Sequence, residues 1–355
     1  MSENAKDVME QISYKFKFKK DKIEQPESYL GAGVKRKVLD GQHMWNMSSY
    51  DYVTAAVKNV KATLKDNQRW NLPKKAVTPM NSDYTPELDG SSELNAHDHT
   101  YFQELIGVLR WATEIGLVDI LLEVSLLSQY QAGPGEGHME QLLRIFAYLD
   151  QHPKMTLYFD WRIPNADFSG VKSSYKEFRT LYRDAEEQLP SNMPKPRGRR
   201  LGSLAYVDAS HAANKKTRRS HTGYAIFLNR APIVRHSWRQ NTVEASTFGA
   251  EFIALKSCIE AIAHLSYKLR MFGIPLDEEP TQALVDNEAV VKNLSLVESM
   301  LNKKHNSIAY HYARWNVAAR VIAVSWIDGA INIADAFTKR LTQMRRENLF
   351  DSWVY

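Results

Sequence analysis

A single cysteine, Cys258, stands among 355 residues. That excludes an intrachain disulfide and any cysteine-rich zinc module, and it fits a reducing compartment. No two aspartates are adjacent anywhere in the chain. Long apolar runs are missing too: the greasiest region, Leu105 to Leu127, is broken by Arg110, Glu114, Asp119 and Glu123, so no bilayer span is expected. Met1 to Asp21 is polar and lysine-rich, without the apolar segment of a secretory signal or membrane anchor. An intracellular protein with no membrane partner is the expectation. Neither sign of charge dominates, since 46 Lys and Arg against 41 Asp and Glu leave +5, which favours a polyanionic partner without demanding one.

What is present is the composition of a globular protein, 44% hydrophobic and 25% charged. The length exceeds one domain of roughly 100–200 residues, so two or three units are expected. Near the N-terminus, Asp40-Gly41 is a turn pair that predicts a hairpin between Gly33 to Val38 and His43 to Met47. Ser48 and Ser49 can cap a following helix, marked by Tyr52, Val53, Ala56, Val57 and Val60 and fading near Lys65 and Asp66. Residues 71–95, with Pro73, Pro79 and Pro86, read as a loop. Helical patterns then run through Tyr101 to Glu114, Leu117 to Gln131 and His138 to Asp150. A short strand at Thr156 to Phe159 precedes a polar stretch, 161–200, that ends in Pro190, Pro194, Pro196 and the basic cluster Arg197, Arg199, Arg200. This stretch is expected to be an interdomain linker or basic hinge. No internal repeat or low-complexity tract stands out.

The chemistry concentrates in the C-terminal unit, 201–341. An apolar strand, Leu201 to Val207, ends at Asp208, and two strands, Thr222 to Leu228 and Pro232 to Trp238, follow across a turn at Asn229-Arg230. A long helix from about Val243 carries Phe248, Phe252, Leu255, Ile259, Ile262, Leu265 and Leu269 on one face, with Glu251 at its edge and Gly273-Ile274-Pro275 as its stop. A strand at Ala283 to Val285 again ends on an aspartate, Asp286. A last strand, Val321 to Ile327, leads to Asp335 on a helix starting near Asn332. Neighbouring strands that end at one edge of an open α/β sheet form a crevice there. Four carboxylates in one crevice repel one another unless cations balance them. Hard oxygen ligands point to Mg2+ or Mn2+. Two such ions, roughly 3.5–4 Å apart, can activate a water and steady the leaving oxygen in an in-line attack on a phosphodiester. A lone strand-terminal aspartate is more often a helix cap; the order strand-Asp, two strands, helix-Glu, strand-Asp, strand, helix-Asp lifts the joint reading above that one.

Other residues carry weaker signals. Arg218, Arg219 and Lys304 are candidates to grip phosphates, or are solvated turn charges. Asn287 either bonds a sugar hydroxyl or caps a helix. His97-Asp98-His99 has metal-ligand residue types, but i and i+2 do not share a helical face, so a cap at Asp98 is expected instead. An integrase-like transposase shares this element order, but one cysteine excludes most of the zinc modules such enzymes carry.

At this point the chain resembles the copia-type retrotransposon Pol polyprotein, in its ribonuclease H domain and the segment before it. The strings are Tyr206-Val207-Asp208-Ala209-Ser210, Thr217 to Tyr224 (TRRSHTGY), Glu244 to Leu255 (EASTFGAEFIAL), Val285-Asp286-Asn287-Glu288-Ala289, Lys304-His305 and Ala334 to Lys339 (ADAFTK). Upstream, Val77 to Met80, Tyr101 to Gly107 and Val124 to Gln129 are similar to the stretch joining polymerase palm to nuclease. The resemblance implies a ribonuclease H-like mixed five-stranded sheet flanked by helices over 201–341. A mainly helical thumb- or connection-like region with a hairpin would occupy 1–160, with 161–200 as linker and 342–355 as C-terminal tail.

The same resemblance assigns the acidic roles, catalytic and metal-binding, to Asp208, Glu251, Asp286 and Asp335. It implies two Mg2+ ions, with Mn2+ as alternative, and hydrolysis of the RNA strand of RNA–DNA hybrids during reverse transcription. Arg218, Arg219, Asn287, Lys304 and His305 are the substrate-binding candidates. Implied partners are the hybrid, the reverse transcriptase palm and other Pol or Gag products; the implied location is cytoplasmic, in virus-like particles, with the nucleus as alternative. The family's Tyr-x-Asp-Asp polymerase element is absent, so no polymerase activity is expected, and the chain is expected to start just after the palm. Two departures stand out. Phe248-Gly249 replaces the usual polar pair ahead of the helix glutamate, and Ile327 to Ala334 lacks the histidine that often aids product release, leaving His305 or His311 as substitutes. A catalytically silent, nucleic-acid-binding or polymerase-scaffold fragment is the competing reading.

Overall fold

In the computed structural model, residues 4–16, 26–67, 69–152, 156–164, 175–299 and 307–350 are described. After an N-terminal helix α1 (Asn4–Lys15) come strands β1 (Ser28–Tyr29), β2 (Ala32–Leu39) and β3 (Gln42–Ser48). Asp40 and Gly41 both adopt positive φ, 49° and 73°, the backbone of a tight two-residue hairpin turn. Helices α2 (Tyr50–Asn67), α3 (Ala96–Glu114), α4 (Leu121–Leu127) and α5 (Glu136–Gln151) follow, then β4 (Thr156–Phe159). The expected hairpin is half of a four-stranded antiparallel sheet, because β4 pairs with β3 in the register Met47↔Leu157. That partner lies about 110 residues further along the chain, beyond the reach of local pattern. Asp98 is not the cap of α3: Asn95 is, its Oδ1 accepting from the Asp98 N–H at 2.9 Å. Asp98 is buried, with Arg69 at 2.9 Å and the Trp70 indole N–H at 3.2 Å.

Helix α6 (Tyr175–Leu181) lies within the expected linker, yet Phe178 and Ala185 are buried in the core of the unit that follows. Apolar side chains, not the proline-rich end, govern that part of the segment. The C-terminal unit contains β5 (Ser203–Ser210), β6 (His221–Leu228), β7 (Ala231–Arg239), α7 (Thr247–Met271), β8 (Thr281–Val285), α8 (Glu288–Ser295), α9 (Ser307–Ala318), β9 (Ile322–Trp326) and α10 (Gln343–Phe350). Its sheet runs β7-β6-β5-β8-β9, antiparallel across the first three strands and parallel for β5 with β8 and β8 with β9. This is the mixed five-stranded, helix-flanked sheet expected of a ribonuclease H-like fold. No described helix is long and apolar enough to cross a membrane.

Side-chain alternation divides that sheet between two cores. Ala205, Val207 and Ala209 of β5, with Tyr224 and Ile226 of β6, pack beneath α7 alongside Phe252, Leu255 and Ile259. Leu204, Ala225, Phe227 and Leu284 face the other way, onto Val118 and Leu157 of the N-terminal unit and Phe337, Leu349 and Phe350 of the C-terminus. Both faces of the central strands are therefore dry, which is why they read as nearly unbroken apolar runs. Residues 343–350 belong to this second core as helix α10, so most of the expected tail is a packed element: Leu349 and Phe350 need cover from water.

Candidate metal centre

Strand β5 does not end at Asp208, as the sequence pattern implied; Asp208 lies inside it, paired across β6 with Gly223. The pairing Val207↔Val285 on the parallel side puts the next residues, Asp208 and Asp286, at the same edge of two adjacent strands. Asp335 comes from a 3-10 turn, Ile333–Phe337, capped by Asn332, whose Oδ1 accepts from the Ala334 N–H at 3.1 Å. The Asn332 amide also donates to the Val207 carbonyl at 3.0 Å, tying that turn to β5. Gly223 makes this approach possible: a Cβ there would stand 2.8 Å from Phe337 Cβ and 3.1 Å from the Ala334 carbonyl oxygen.

The outcome is convergence. Asp208, Asp286 and Asp335 each offer a carboxylate oxygen within 4.8 Å of the others. Glu251, the fifth residue of α7, is set by the Ser246 cap, which accepts from the Gly249 N–H at 3.2 Å. Phe248 packs against Phe252; the Ser246 bond uses only the backbone of Gly249 and does not depend on its side chain. Glu251 interacts electrostatically with Asp208 and Asp286 and accepts from the Ala209 N–H. Its Oε2 is buried with no hydrogen-bond partner. The closely gathered donors are the three aspartates; Glu251 is not one of that group and acts on Asp208 and Asp286 through its charge. Hard oxygen donors of this kind fit a divalent cation.

Electrostatics agree with crowding. Burial, with nearby Asp335 and Asp286 adding to it, pushes the Asp208 carboxyl up to about 6 against the pull of Lys339 and Thr338. Burial and then Asp208 and Asp286 hold Glu251 well above the ordinary range. Asp286 is raised by burial and by Asp335.

Residues that sequence reasoning missed surround these acids. Lys339 Nζ lies 2.6 Å from Asp335 Oδ1 and 3.2 Å from Asp208 Oδ1. The Thr338 hydroxyl donates to Asp208 Oδ2. Arg345 Nη2 reaches Asp335 Oδ2 at 3.2 Å and the Gly329 carbonyl at 2.7 Å. The i, i+4 spacing of Asp335 and Lys339 was a readable signal; nothing in the sequence marked Arg345. The exposed Trp326 ring stands beside the centre, its indole N–H donating to the Asp286 carbonyl at 3.1 Å.

The substrate-binding candidates scatter. Arg218 is exposed on the β5–β6 turn with φ 57°. Arg219 lines a cleft of about 230 Å³ between the two units, with Lys215, Arg239, Arg340, Tyr130 and Thr338. Thr338 connects that basic cleft to the acids. Asn287 caps α8, its Oδ1 accepting from the Ala289 N–H at 3.0 Å and the Val290 N–H at 3.4 Å. Lys304 and His305 lie outside the described residues. His311 Nδ1 sits 2.6 Å from the Tyr182 hydroxyl.

No family model matches the chain. Among curated proteins it is similar to the retrovirus-related Pol polyproteins from transposons RE1 and RE2 of Arabidopsis thaliana, 24% and 23% identical over 275 residues. Each match covers 78% of this chain and 16% of the relative, so the chain spans about one-sixth of the length of the polyproteins it matches. Among solved structures, the N-terminal RNase H domain of a Mycobacterium tuberculosis protein is 12% identical with a TM-score of 0.31, covering 42% of this chain and 98% of that one. LC11-RNase H1, solved with an RNA/DNA hybrid, is 17% identical with a TM-score of 0.30, covering 40% and 97%. RNase H1 of the halophilic archaeon Halobacterium salinarum is 18% identical with a TM-score of 0.29, covering 43% and 99%. By sequence, the chain is a relative of the copia-like, retrovirus-related Pol polyproteins, matched over a small part of their length.

Proposed function

We propose that this chain is the ribonuclease H part of a copia-type retrotransposon Pol protein, hydrolysing the RNA strand of RNA–DNA hybrids during reverse transcription. The observation that carries this reading is the convergence of Asp208, Asp286 and Asp335, with the unpartnered Oε2 of Glu251 buried beside them. Those four residues would hold two Mg2+ ions, with Mn2+ as the alternative. When bound, such ions supply an activated water and charge neutralisation at the leaving oxygen of a phosphodiester.

The chain's own groups do the rest. Asn332 and the Gly223 contact hold the Asp335 turn against β5, fixing the spacing of the acids. Burial of Asp208, Glu251 and Asp335 keeps water from screening them. Arg219 and its cationic neighbours in the interdomain cleft bind backbone phosphates, the main grip available on a hybrid duplex recognised by charge and shape. The reverse transcriptase palm and other Pol or Gag products are the proposed protein partners, in cytoplasmic virus-like particles.

The test is cleavage of a hybrid labelled on its RNA strand, with Mg2+, by the full chain and by Asp208→Asn. Cleaved RNA with the unsubstituted protein and intact RNA with the variant is the expected result. Intact RNA with the unsubstituted protein sinks the reading. Labelled single-stranded RNA, run alongside, should survive.

A further inference from the structure

The acidic centre is lopsided. All four carboxylate oxygens of Asp208 and Asp335 already have a hydroxyl or cationic partner: Lys339 takes Oδ1 of each, Thr338 takes Asp208 Oδ2 and Arg345 takes Asp335 Oδ2. Glu251, by contrast, keeps a buried oxygen with no hydrogen-bond partner, and Asp286 is hydrogen-bonded by Asn332 and its own backbone, so Lys339 acts on these two acids through its charge and not through a direct bond. Four carboxylates face two positive side chains, Lys339 and Arg345, which leaves two formal negative charges, the charge that one divalent ion would balance. Lys339 differs from Arg345 in being able to leave. Its ammonium is a compact, well-hydrated charge on a four-carbon stem, and its side chain is 41% exposed. Arg345 is also bonded to the Gly329 carbonyl and sits on a packed helix.

We propose that Lys339 is a resident counter-cation that contests the Asp208–Asp335 edge with a divalent ion. The free protein then loads one ion readily at the Glu251–Asp286 edge, and a second only as the ammonium withdraws. Lys339 is a positioning residue here: it holds Asp208 and Asp335 together until that edge is taken. The inference rests on the metal-binding part of the function proposed above.

The test is a titration of the full chain with Mn2+ in the absence of nucleic acid, following free Mn2+ by electron paramagnetic resonance. The unsubstituted protein should bind one ion well and a second weakly. Lys339→Met should tighten the weaker step by about tenfold, the scale on which one adjacent charge alters ionic equilibria, while Lys339→Arg should keep the weak step. A merely structural lysine gives the opposite sign, because its loss would loosen the ligands. Circular dichroism checks that each variant folds. If Lys339→Met does not fold, 15N-lysine spectra of the unsubstituted protein decide instead: one protected ammonium signal should move or vanish as Mg2+ is added. Equal or weaker Mn2+ binding by folded Lys339→Met, or an ammonium signal unmoved at saturating Mg2+, overturns the proposal and leaves the nuclease reading standing. No Mn2+ binding by the unsubstituted protein overturns both.

Discussion

Arg345 and Arg346 are consecutive in sequence but serve different units. Arg345 lies 3.2 Å from Asp335 Oδ2 in the acidic centre, while Arg346 lies 2.9 Å from Glu123 Oε1 in the N-terminal unit, both side chains of that second pair being 3% exposed. One turn of α10 therefore joins the centre to the other unit's interior. Tyr148 and Asp119 complete the buried network, the tyrosine hydroxyl donating to Asp119 Oδ2 at 2.8 Å.

Arg346 serves Asp119 as well as Glu123, so removing it strands two buried carboxylates, while removing Glu123 leaves Arg346 with Asp119 as its remaining counter-charge. Arg346→Ala should therefore cost about 3–5 kcal/mol of stability and Glu123→Ala less, measured by denaturant unfolding. The double replacement Glu123→Met with Arg346→Leu should cost much less than the sum of the single changes. Additive losses would show that the pair is not coupled.

Crowded carboxylates trade stability for function. Glu251→Gln removes a buried carboxyl whose ionisation burial, Asp208 and Asp286 all oppose, so without metal and at a pH high enough to ionise Glu251 the variant should melt at a higher temperature than the unsubstituted chain. Hydrolysis of the hybrid should fall by at least about a hundredfold, the scale on which a metal site suffers when its ligand shell is altered. A lower melting temperature would contradict the repulsion inferred at this centre.

Metal binding should depend on pH with a defined sign. A carboxyl raised to about 6, as Asp208 is, holds its proton below that pH and competes with the ion for the same oxygens. Mn2+ affinity of the free protein should therefore drop as pH falls from 7 through about 6, with Asp286 and Glu251, also raised, steepening the fall. Isothermal titration across that window reads it directly. A flat profile would mean that these carboxyls titrate lower.

Two glycines make a matched pair. Gly223→Ala places a methyl 2.8 Å from Phe337 Cβ and 3.1 Å from the Ala334 oxygen. That overpacking should cost about 1–3 kcal/mol and weaken Mn2+ binding by shifting the Asp335 turn. Gly107→Ala, inside α3 with nothing within 4 Å of the new methyl, should instead stabilise by about 0.5–1 kcal/mol. Thermal melts and Mn2+ titration of the two variants separate contact from propensity.

Much of the local structure follows from residue order alone. Asp40-Gly41 takes the positive φ values of a hairpin turn, the 3.6-residue spacing of Val53, Ala56, Val57 and Val60 becomes α2, and the five strands of the second sheet lie where apolar runs end in turn residues. Of the four acids singled out by element order, the three aspartates converge, although Asp208 lies inside β5 and not at its end. Tertiary structure decided the rest. β4 completes a sheet across a long sequence gap, Phe178 and α10 join cores that no local pattern assigns them to, and Asp98 trades a capping role for an ion pair with Arg69. The cations on Asp335 come from four residues further on, just past the end of its turn, and from ten residues away on another helix. Periodicity reports which face of an element avoids water; it carries no information about which distant charge will meet a buried carboxylate, since only packing sets that distance.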